Sequence, residues 1–72
     1  MAHGDTFKMI KLVGESSKNI EDAVQTALAK SSESVRGFSW AHITDLRINL
    51  DTDGSIQAWQ ATLEAGFKVD GD

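Results

Sequence analysis

Seventy-two residues allow one domain, spanning 1–72, and the absence of cysteine excludes the disulfide stapling that often supports so small a core. Seven Lys and Arg against eleven Asp and Glu give a net charge of -4, which excludes an affinity built on neutralising nucleic-acid phosphates. No apolar run approaches the roughly 20 residues of a membrane helix, and Met1-Ala-His-Gly-Asp5 lacks the basic-then-apolar order of a secretion signal, so a soluble, cytoplasmic protein is expected.

After residues 1–5, read as a flexible arm, the segment Phe7-Lys-Met-Ile-Lys-Leu-Val13 predicts a strand ended by Gly14. Ser16 or Ser17 then offers a hydroxyl to the unpaired amides of a helix start, and Glu21 and Asp22 suit the positive end of the helix dipole. The helix is expected over 18–36. Ile20, Ala23, Val24, Ala27, Leu28, Ser31 and Val35 recur at three- and four-residue steps and trace a narrow stripe, small enough for close approach to a sheet. Lys30 and Arg36 suit the C-terminal end, and Gly37 can take the left-handed conformation that stops a helix.

Two more strands are predicted over 39–50 and 55–69, joined by Asp51-Thr-Asp-Gly-Ser55 and paired antiparallel, because Asp-Gly between alternating runs is a strong hairpin signal. Asp51, Asp53 and Gly54 also match the start of a calcium loop. The twelfth position is Thr62 where a bidentate glutamate is needed, so the segment reads as a turn and no metal site is expected. Along the last strand Trp59, Ala61, Leu63, Ala65 and Phe67 share the side expected under the helix, and Gln60, Thr62 and Glu64 share the other. Residues 70–72 are read as a C-terminal tail. The outcome is an α+β chain in the order β-α-β-β, a curved three-stranded antiparallel sheet partly wrapped around one helix. Its strands are longer than the usual five or so residues, so their outer halves are expected to pair with other copies.

Trp40 opens the second strand on a sheet that one helix cannot cover. A large flat ring there suits either a second subunit or a planar ligand. On its residue type alone it reads as a core or interface aromatic, Gln60 as a solvent-facing amide, and Asp45 and Arg47 as same-face surface charges. His42, on the alternation face of Trp40, reads as a solvated or interface histidine, and Trp59 as core or intersubunit filler. His3 and His42 lack partners at metal-ligand spacing. No nucleophile, proton-transfer group or nicotinamide fingerprint forms a catalytic assembly, so the chain is not expected to be an enzyme.

Val13-Gly14 entering a Ser-Ser segment, the Ala-rich stretch Glu21-Asp-Ala-Val-Gln-Thr-Ala-Leu-Ala-Lys30, Ser39-Trp40 with Asp45 and Arg47 downstream, and Gln60-Ala-Thr-Leu-Glu-Ala-Gly-Phe-Lys68 together resemble the dodecins. The resemblance runs from about Phe7 to Val69. It implies a hollow homododecamer that holds pairs of flavins between two copies of one tryptophan, which here is Trp40. It also implies that Gln60 bonds the flavin ring edge, Asp45 serves the ribityl chain, and Arg47 matches a basic position of bacterial members that take flavin mononucleotide (FMN), with riboflavin and FAD as the alternatives. An arginine fork suits a phosphate. Glu15, His42 and Ile48 depart from the family's common threonine, glutamate and glycine. The implied role is flavin storage and photoprotection, with coenzyme A as a further partner on the outer surface at no assigned residues. The alternative is a homo-oligomeric scaffold or partner-binding module without flavin.

Overall fold

A computed structural model describes residues 4–35 and 37–69. The first three residues of the expected arm, His3 among them, together with Arg36 and residues 70–72 of the expected tail, lie outside the described residues. The elements are β1 (Phe7–Ser16), α1 (Ile20–Ser31), β2 (Phe38–Leu50) and β3 (Ile56–Lys68). The last strand lies in the middle, antiparallel to both others, in the order β1-β3-β2. This is the expected β-α-β-β arrangement.

β1 does not stop at Gly14. It runs on to Ser16, with Gly14 opposite Ala61 in the ladder. What Gly14 provides is space: a Cβ there would strike the Ala23 carbonyl and sit 2.9 Å from the Ala27 methyl, so the helix can descend only onto a bare backbone. Ala23 and Ala27 then bury against Ala61 and Leu63, with Leu12, Val24 and Leu28 packed around them. The predicted small-residue stripe is the core.

The helix limits differ from those expected. Asn19, not Ser16 or Ser17, is the N-cap, its Oδ1 accepting the Asp22 N–H at 2.7 Å. Ser16 closes the preceding strand, its hydroxyl accepting the Lys18 N–H at 2.9 Å and donating to the Asp22 carboxylate at 2.6 Å. At the other end α1 stops at Ser31 rather than at residue 36. The Ser32 and Ser34 hydroxyls donate to the Ala29 and Ser31 carbonyls at 2.9 and 3.3 Å, giving the backbone local alternatives to a continuing helix. Gly37 does take a positive φ of 74°, but in the connection to β2.

The β2–β3 hairpin turns as expected. Gly54 has φ 87°, and its N–H donates to the Asp51 carbonyl at 2.9 Å. The Asp53 carboxylate accepts from the Ser55 hydroxyl at 2.7 Å and the Ser55 N–H at 3.0 Å, which holds its pKa below the usual value for an aspartate.

The helix lies over β1 and β3 and leaves β2 uncovered. Ile43, Leu46 and Ile48 face the helix side opposite Leu63, Ala61 and Trp59, yet they remain exposed. Leu63 is the one large side chain among the described residues that is fully buried. The subunit is a blade of 61 × 21 × 14 Å with a radius of gyration of 15.3 Å. A compact chain of this length would have a radius of gyration of about 11 Å.

Candidate functional site

The sheet face turned away from α1 carries the polar positions of β3, and residues directly opposite in an antiparallel pair project from the same face. Trp40 lies opposite Gly66, His42 opposite Glu64, Asp45 opposite Thr62, and Arg47 opposite Gln60. Strict alternation would not allow this set. Trp40 and Arg47 are seven residues apart, an odd interval that places two residues on opposite faces of a regular strand.

The difference is made at Thr44. The register steps from Ile43–Leu63 to Asp45–Thr62, so Thr44 is an extra residue, a bulge that reverses the alternation beyond it. Its hydroxyl donates to the Thr62 carbonyl at 3.3 Å and ties the bulge to the central strand. A second register shift, at Ser39, separates Phe38 on the helix side from Trp40 on the open face. Phe38 packs edge-to-face on Phe67 with ring centroids 6.1 Å apart.

Gln60 is flanked by Arg47 on β2 and by Glu15 on β1. Asn49 donates to the Glu15 carboxylate at 3.2 Å, bridging the outer strands over the central one. The Arg47 guanidinium is 3.6 Å from the Asp45 carboxylate, with side chains 67% and 53% exposed. Such a pair contributes little to stability, which leaves the guanidinium fork open to an incoming anion. Trp40 is 43% exposed on the same face.

Asp45, Arg47 and Gln60 are therefore neighbours in one subunit, whereas Trp40 is not beside them. The positions opposite Trp40 and Arg47 are six residues apart on β3, roughly 20 Å at about 3.4 Å per residue. The bulge at Thr44 and the glycine opposite Trp40 are not among the positions the sequence singled out. The odd interval between Trp40 and Arg47 was the available signal for the first, and a glycine inside a strand for the second.

The fold and this face define a class: a small, helix-backed antiparallel blade with too little core for one subunit, bearing an exposed indole and a separate polar strip. The family model of the dodecins matches residues 6–70. The dodecin of Thermus thermophilus is 31% identical over 67 residues, covering 93% of this chain and 96% of that protein. The crystal structure of the tt0972 protein of T. thermophilus aligns with a TM-score of 0.87 at 30% identity, over 96% of this chain and 100% of that one. The calcium dodecin of Mycobacterium tuberculosis, described with a novel calcium-binding site, aligns with a TM-score of 0.77 at 25% identity over 93% and 94% of the two chains. The chain belongs to the dodecin family, small dodecameric flavin-binding proteins.

Proposed function

We propose that this protein is a non-enzymatic, cytoplasmic flavin store that holds pairs of FMN between the Trp40 rings of symmetry-related subunits in a hollow homododecamer. The observation that carries this reading is the Trp40 indole, 43% exposed on the face away from the core in a member of a flavin-binding family. A free indole face excludes water from a planar partner and adds about 0.5–1.5 kcal/mol beyond the area it buries.

The residues fit a flavin. Bound flavin supplies a redox-active, light-absorbing ring. Trp40 would cover its face with an oxidisable indole, the kind of group that suits quenching of an excited flavin. Gln60 offers a donor and an acceptor from one amide to the pyrimidine edge. Arg47 takes the phosphate through its guanidinium fork, and Asp45 takes hydroxyls of the ribityl chain. The roughly 20 Å between Trp40 and Gln60 supports a composite site, in which one subunit stacks on the ring and a neighbour bonds its edge.

An absorption spectrum taken across a sizing peak tests ligand and assembly together. Yellow protein of dodecameric size, with FMN fluorescence quenched on titration, is the expected result. Colourless protein that leaves added FMN fluorescent overturns the proposal and favours the flavin-free scaffold. Trp40→Ala should keep the assembly, abolish quenching and weaken binding by roughly tenfold or more. Parental binding by that variant would remove the stacking assignment.

A further inference from the structure

Gly66 stands in mid-strand, where glycine loses more backbone freedom on folding than any other residue and offers nothing to pack. Its φ is not positive, since Gly37 and Gly54 are the glycines with that conformation among the described residues. Backbone geometry therefore does not require glycine here. Space does: a Cβ on Gly66 would overlap Cε2 and Cζ2 of Trp40 and lie 2.8 Å from its Nε1. These atoms belong to a rigid bicyclic ring, so relief would require moving the whole indole.

We infer that Gly66 is a positioning residue for flavin binding: by leaving its own side-chain space empty it seats Trp40 against the β3 backbone, with one side covered and one side open. The seat is directly opposite Trp40 in the ladder, and an aromatic ring laid over a cross-strand glycine also shields bare backbone. Each indole then stacks one planar ring, not two. The open side is what gives Trp40 its 43% exposure. This inference rests on the flavin reading above and adds to it the residue that sets the height and single-sidedness of the stacking platform.

The test is Gly66→Ala in the full-length assembly, with Trp59→Phe in both proteins so that tryptophan emission reports Trp40 alone. The expected result is an assembly of unchanged size, altered Trp40 emission without ligand, and FMN affinity lower by roughly tenfold or more with weaker quenching. Unaltered emission, or parental FMN affinity and quenching, overturns the inference. If Gly66→Ala fails to assemble, the Trp40→Ala background decides, because it removes all three of the atoms nearest the added methyl. A double variant that assembles supports the seat, and one that still fails to assemble overturns it. A parent that binds no FMN overturns the functional reading and this inference with it, whereas a binding parent and an unimpaired variant overturn this inference alone.

Discussion

Arg47 shows how little an exposed ion pair says about stability and how much it says about availability. Its partner Asp45 is 3.6 Å away, and both side chains are more than half exposed, so the pair is screened by water and flexible enough to exchange for a better anion. Arg47→Ala should therefore leave the unfolding midpoint almost unchanged. Its effect should appear in ligand preference. A charge-assisted contact to phosphate is worth about 1.5–3 kcal/mol, so FMN should weaken by roughly tenfold to a hundredfold while riboflavin, which has no phosphate, changes little. Titrating both ligands into parent and variant checks this, and equal losses would remove phosphate recognition from Arg47. Arg47→Lys should restore only part of the preference, because an ammonium keeps the charge but lacks the planar fork.

At the scale of the elements, the open face depends on one extra residue in β2. Deleting Thr44 restores strict alternation, so either Trp40 and His42 or Asp45 and Arg47 must turn to the helix side. The expected outcome is a folded hairpin with no FMN binding, seen by circular dichroism and titration. The order of elements was legible in the sequence because periodicity marks strands and helices directly, as the Ala23–Ala27 stripe did for α1. The bulge was not, since it appears only when β2 is laid against β3 and the register is counted. The helix limits were missed for a related reason: Ser16, Ser17 and Asn19 can all cap, and three-dimensional pairing decided that Ser16 stays in β1. Gly14, read from sequence as a terminator, is a packing position. Gly14→Ala should cost about 3 kcal/mol or more by forcing α1 off the sheet, measurable by thermal unfolding. In the hairpin turn, the lowered Asp53 pKa makes the folded state favour the ionised form. That contribution is complete above the unfolded value of 3.8 and lost as pH falls through the lowered one, so Asp53→Asn should flatten the acid limb of stability against pH.

The whole subunit is a blade whose buried core is mostly alanine, with Leu63 its one fully buried large side chain among the described residues. A domain of this size buries only about 60% of its unfolded surface even when compact, and this one is extended well beyond compact dimensions. Ile43, Leu46 and Ile48 form an apolar row on β2 that α1 does not reach, and this row is the place where neighbouring subunits are expected to cover what the helix leaves bare. Leu46 is 57% exposed in the isolated subunit, so replacing it with a charge costs little there. In an assembly the same charge would be desolvated without a partner, at a cost of several kcal/mol repeated at every symmetry-related copy. Leu46→Lys should therefore shift the protein from a large species to small ones in analytical ultracentrifugation. FMN binding should disappear with the large species, because the proposed site needs an indole from each of two subunits and a Gln60 from a neighbour. A variant that remained large would take Leu46 out of the interface. A dissociated variant that still quenched FMN fluorescence would show that one subunit suffices, and the paired-indole arrangement would have to be abandoned.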